Sequence, residues 1–169
     1  MAPKPPKQSK PVQKSRKNVA LYPASHIMDG LSQSALALKI ARHSRCPLCS
    51  DCQGLTPKDE ISVKLDSEWD ERTMGPAAYL DSCRCGHTVA EHAAAEDVPR
   101  EEYKRRGRVA IRLDELLDDT NQLWNFDYRD EDILSLRKQM RLPEEALSPL
   151  SNDLASPGIV FHVLNITIN

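Results

Sequence analysis

Seven residues of this chain offer soft metal-ligand chemistry, and they fall in two tight groups. Cys83, Cys85, His87 and His92 lie in DSCRCGHTVAEH, residues 81–92; Cys46, Cys49 and Cys52, the remaining cysteines, lie in CPLCSDC, residues 46–52. Thiolates and imidazoles at such spacings are the donors of tetrahedral zinc. A Cys-x-x-Cys loop with proline inside, as in Cys46-Pro-Leu-Cys49, curls so that both thiolates face one centre. Cys49-Ser-Asp-Cys52 repeats the spacing, so Cys49 can belong to either pair. Gly54 and Gly86 let the chain turn as it leaves each knot.

Four donors satisfy one ion. Seven can serve two ions if one thiolate bridges, because two tetrahedra sharing a corner have seven vertices. The expectation is one zinc, with His43 as an eighth candidate. The metal reads as structural. A catalytic zinc keeps an open position and a general base beside it. No His-x-Glu precedes CPLC, as a deaminase would require. Glu91-His92 does not complete a His-Glu-x-x-His motif. No oxyanion-hole motif or orienting group accompanies a Cys/His nucleophile pair, so no enzyme activity is expected.

The elements that must position these donors read as helices. Leu31, Ala35, Leu38 and Ala41, widened by Leu36 and Ile40, predict a helix over 31–43, capped by Ser32 or Ser34. Pro57, Asp59 and Glu60, followed by Ile61, Leu65 and Trp69 four apart, predict a short helix over 57–70. A helix over 87–95 carries His87 and His92, five apart and so not on one face. Val109, Leu113, Leu116 and Leu117 form the apolar face of a helix over 98–118, and the KRRGR run at 104–108 reads as its solvated side. Trp124, Phe126 and Tyr128 read as an extended segment packed across the helices. Asp130 caps a last helix bearing Ile133, Leu134, Leu136 and Met140.

Composition agrees with a small core that needs a staple. Of 169 residues, 40% are hydrophobic and only 5% aromatic, with 12 prolines. The expected fold is mainly α: a zinc-stapled helical domain over residues 23–142, a disordered basic arm over 1–22, and a linker with a flexible apolar tail over 143–169. Residues 1–45 carry nine Lys/Arg and one acid, Asp29, and the remainder has net charge −10. Such asymmetry suits an arm that contacts an acidic partner, weakly a nucleic acid. No secretory h-region and no apolar run of transmembrane length is visible, so a cytosolic or nuclear protein with reduced thiols and no membrane partner is expected.

The run Ser82-Cys-Arg-Cys-Gly-His-Thr-Val-Ala-Glu-His92 resembles the N-terminal homology domain of PCAF-type histone acetyltransferases. Cys52-Gln-Gly54 matches that family's first knot, Ser82, Cys83, Arg84, Cys85, His87 and His92 its second, and Val98-Pro-Arg-Glu-Glu102 the segment after it. Leu55 stands in place of the family's tryptophan, and the second knot is one residue shorter between its cysteines. The resemblance covers residues 45–140. It implies a nuclear zinc-binding module in chromatin and transcription regulation, with protein subunits of such a complex as partners. It does not bring the acetyltransferase domain, for which the chain has no room. It also favours a ligand set of Cys49, Cys52, Cys83, Cys85, His87 and His92 over one that includes Cys46. Two other functions compete: an atypical zinc-dependent ubiquitin ligase, although the interleaved pairs of a RING are missing, and a weak nucleic-acid binder acting through the arm.

Overall fold

The structure, a computed structural model, describes residues 18–94 and 98–141. The expected disorder of residues 1–17 and the reading of 143–169 as linker and tail lie outside the described residues.

Among the described residues are five α-helices and a three-stranded parallel sheet. In chain order they are β1 (Asn18–Tyr22), α1 (Gln33–His43), β2 (Ile61–Leu65), α2 (Glu71–Met74), β3 (Ala78–Tyr79), α3 (Val89–Ala93), α4 (Arg100–Asp119) and α5 (Glu131–Arg137). The strand order is β2-β1-β3. Asn18 pairs with Ile61 and Tyr22 with Leu65, and Ala20 and Leu21 pair with Ala78 and Tyr79.

Two expectations are corrected by this sheet. Residues 18–22, expected within the disordered arm, form the sheet's central strand. Ala20, Leu21 and Tyr22 are buried, which a strand flanked on both edges requires. The helix expected over 57–70 is instead strand β2, a 3-10 turn and the start of a loop. Ile61, Val63 and Leu65 fit a period of two as well as Ile61, Leu65 and Trp69 fit a helix, and pairing with β1 selects the strand. The mainly α expectation therefore holds only in part: helices share the core with a small parallel sheet. Among the described residues no helix is long and apolar enough to cross a membrane.

Helices α1, α3, α4 and α5 lie close to their sequence signals, although Arg106 of the run expected on the solvated side of α4 turns inward. Ser32 caps α1 by accepting from the Ala35 N–H at 3.1 Å. Asp130 caps α5 by accepting from the Asp132 and Ile133 N–H groups. α1 packs against α3 and α4, and α4 against α5. Tyr128 is buried and Phe126 packs against the core, as expected of that segment, whereas Trp124 is exposed.

The centre of the domain is charged. Asp114 of α4 is fully buried and accepts hydrogen bonds from Tyr22 Oη at 2.7 Å, Lys39 Nζ at 2.7 Å and an Arg42 guanidinium nitrogen at 3.1 Å. One carboxylate thereby ties β1 and α1 to α4. Burial alone would raise its pKa, but Arg42, His43 and Lys39 hold it well below the usual carboxylate range. Arg42 also lies over the rings of Tyr22 and Phe126. Arg106, likewise buried, donates to the Ala93 carbonyl at 2.6 Å and to Ser44 Oγ at 2.8 Å, joining α4 to the ends of α1 and α3.

Candidate metal centre

The two knots meet at the end of α1. After Ser44 the chain enters the first knot, where the Cys46 N–H donates to the Cys52 carbonyl at 3.0 Å and closes the loop. The exit is fixed against the helices. The Leu55 N–H donates to the Ala41 carbonyl at 3.0 Å, Arg137 Nε donates to the His43 carbonyl at 3.0 Å, and its guanidinium reaches the Gln53 carbonyl. Gly54 is required here by space: a Cβ would run into the Arg42 carbonyl and the Arg137 guanidinium.

The second knot is a tight reversal. The Cys83 N–H donates to the His87 carbonyl at 2.9 Å and the Gly86 N–H to the Cys83 carbonyl at 3.0 Å. Gly86 sits at φ +93°, a conformation that favours glycine and produces the sharp turn the sequence required. The Arg84 N–H donates to the Thr56 carbonyl at 2.7 Å, which sews the two knots together. Thr88 then starts α3 with a capping box: its hydroxyl accepts from the Glu91 N–H, and the Glu91 carboxylate accepts from the Thr88 N–H. His87 thus precedes the helix, and His92 points from its last turn into the core.

Seven side chains converge as two quartets that share Cys85. An inner quartet is Cys52, Cys83, Cys85 and His92; an outer one is Cys46, Cys49, Cys85 and His87. Within each, all four ligand atoms lie within 4.8 Å of one another, so each could hold a metal ion. Inside, Cys52 Sγ is 3.6 Å from Cys83 Sγ and 3.6 Å from His92 Nε2, and Cys85 Sγ is 3.3 Å from the same nitrogen. Outside, Cys46 Sγ and Cys85 Sγ each lie 3.4 Å from His87 Nδ1.

The surroundings suit a neutral imidazole and, with no ion bound, hold most of the thiols protonated. Burial lowers the pKa of His92, keeping its ring unprotonated. Burial pushes the Cys46 thiol up to about 11 and Cys52 higher still. For Cys83 burial also opposes ionisation, but backbone N–H groups near its sulfur, that of Thr56 at 3.3 Å among them, bring its pKa below the usual thiol range. Protonated thiols packed this closely would compete for few acceptors; an ion that displaces their protons resolves the cluster.

All six residues of the favoured ligand set lie in these quartets. Cys49, whose spacing allowed either pair, groups with Cys46, and Cys52 faces Cys83. Cys46, left out of that set, completes the outer quartet; its signal was the Cys-Pro-Leu-Cys spacing itself. His43 is committed elsewhere. Its Nε2 lies 2.9 Å from Asp114 Oδ1 and its Nδ1 2.7 Å from Tyr128 Oη, so both nitrogens are used inside the charged core. Burial lowers its pKa to about 4, which sets a neutral ring that donates to Asp114 and accepts from Tyr128. With this site in hand, the chain was compared with known proteins: no family model, no curated protein and no solved structure matches it.

Proposed function

We propose that the seven residues hold two zinc ions through a bridging Cys85 thiolate, and that the centre staples a protein-interaction module of a nuclear chromatin or transcription complex. The observation that carries the zinc assignment is the spacing of the donors. A tetrahedron with zinc–sulfur bonds of about 2.3 Å and zinc–nitrogen bonds of about 2.0–2.1 Å has sulfur–sulfur edges of about 3.8 Å and sulfur–nitrogen edges of about 3.6 Å. Five of the donor separations here run from 3.3 to 3.6 Å, and within each quartet all lie within 4.8 Å.

A structural rather than catalytic role is supported by the donor count. Each quartet supplies four protein ligands and leaves no position for water or substrate. Zinc bound here contributes folding free energy, because it joins the loop after α1, the turn before α3 and the last turn of α3. Function then falls to the surfaces the staple holds, and the resemblance of residues 82–92 to the PCAF-type N-terminal domain favours a chromatin-associated partner.

The test is metal analysis of the purified protein, followed by cobalt substitution and visible absorption. Two zinc ions per chain, and a tetrahedral cobalt spectrum with thiolate charge-transfer bands, are expected. A chain free of stoichiometric metal that keeps its helical circular dichroism in strong chelator would refute the staple. For the partner, the wild-type protein should co-purify with chromatin-complex subunits from nuclear extract and the Cys83→Ser variant should not. A wild-type protein excluded from nuclei would sink that half of the reading.

A further inference from the structure

The two quartets differ in how they are built. Inner-quartet residues Cys83 and His92 are 0% exposed. Cys83 belongs to the hydrophobic core, and Cys52 and Cys85 pack against it. The three inner ligands that are not shared also have scaffolding of their own. Cys83 receives the Thr56 N–H, His92 rides on a capped helix, and Cys52 precedes the turn fixed by Arg137 and by the Leu55 N–H.

The outer quartet has little of this. Among its residues only Cys46 is buried, and neither Cys46 nor Cys49 packs with the core cluster. The loop that carries them exposes Arg45, Pro47, Ser50 and Asp51, and Leu48 is 58% exposed. Its ties are the Cys46 N–H to the Cys52 carbonyl and Arg45 to the Ser50 carbonyl at 2.6 Å, the latter within the loop.

Bridging chemistry sharpens the contrast. When both ions are bound, Cys85 divides one thiolate charge between them. If the outer ion leaves, the inner ion keeps four protein ligands and takes the whole of that charge, so its binding tightens. The second ion must compete for a thiolate already in use.

We propose that the outer quartet is an exchangeable site for a thiophilic divalent cation, and that its occupancy decides whether the Cys46–Cys49 loop is held or released while the inner ion stays. This rests on the two-zinc reading above and adds regulation to it: metal availability changes one exposed loop without unfolding the domain.

The experiment is native mass spectrometry of the full chain against increasing chelator, with circular dichroism and trypsin cleavage after Arg45 followed on the same samples. Wild type should pass through a one-ion state. The first ion should be lost at a chelator concentration at least tenfold below that removing the second, with helical signal retained and cleavage after Arg45 appearing. The double variant Cys46→Ser/Cys49→Ser should fold, bind one ion and be cleaved from the outset; Cys83→Ser should lose both metal and helical signal. Two ions that leave together, or a metal-free double variant, would overturn the proposal while leaving the two-zinc staple standing. A wild-type chain with no metal would refute both.

Discussion

Asp114 shows how much of this domain hangs on one side chain. It is the only carboxylate found against Lys39, Arg42 and His43 among the described residues, and all of these are buried. Asp114→Asn keeps the shape but leaves two buried cations uncompensated, so a loss of about 3–5 kcal/mol is expected in chemical denaturation. An unchanged midpoint would mean that water reaches the cluster. None of this was legible in the sequence. Lys39, Arg42 and His43 sit on a helix whose apolar stripe is easily read, and an inward-facing charge adds nothing to a hydrophobic pattern. The cysteines were legible for the opposite reason. Their chemistry is carried by residue type and by spacings of two or three residues, which the chain fixes locally. Their division into quartets was not, because it depends on how the chain folds back from Cys52 to Cys83, across residues whose apolar pattern also fits a helix.

Among the elements, α3 is the shortest that a candidate metal ligand depends on. Five residues do not make a stable helix by themselves. Its start is held by the Thr88–Glu91 capping box, and its far end delivers His92. Thr88→Ala should therefore cost about 1 kcal/mol, read as a roughly fivefold weaker hold on the inner ion in chelator competition. Equal affinity would show that the metal, not the cap, orders the helix. The caps at Ser32, Thr88 and Asp130 lie close to the starts of helices expected from sequence, since capping is a local rule. β1 and β2 escaped because their partners are remote. Val19 to Tyr22 follow a run of lysines, and Ile61 to Leu65 satisfy two periods at once. Only the parallel pairing of Asn18 with Ile61 and of Tyr22 with Leu65 chooses between them.

For the whole molecule, the buried core makes stability a function of pH apart from the metal. His43 has its folded pKa lowered to about 4, against about 6.5 when unfolded. The unfolded state therefore binds more protons between those values. The contribution is complete above pH 6.5 and is lost as pH falls towards 4, at about 1.4 kcal/mol per pH unit and about 3 kcal/mol in all. Denaturation at fixed excess zinc, compared between wild type and His43→Gln, should show a shallower decline in the variant; parallel curves would remove His43 as the cause. The order of elements also constrains synthesis. β1 is made before both strands that flank it, and it must wait for residues 61–65 and 78–79 before it can pair on either side. The metal donors likewise arrive in two instalments. Cys46, Cys49 and Cys52 leave the ribosome first, and neither quartet can close until His87 and His92 follow. While residues 53–92 are being added, the nascent chain carries first three and, once Cys83 and Cys85 are in place, five unburied thiols, open to oxidation or to stray metal, and the rate of elongation sets how long that exposure lasts.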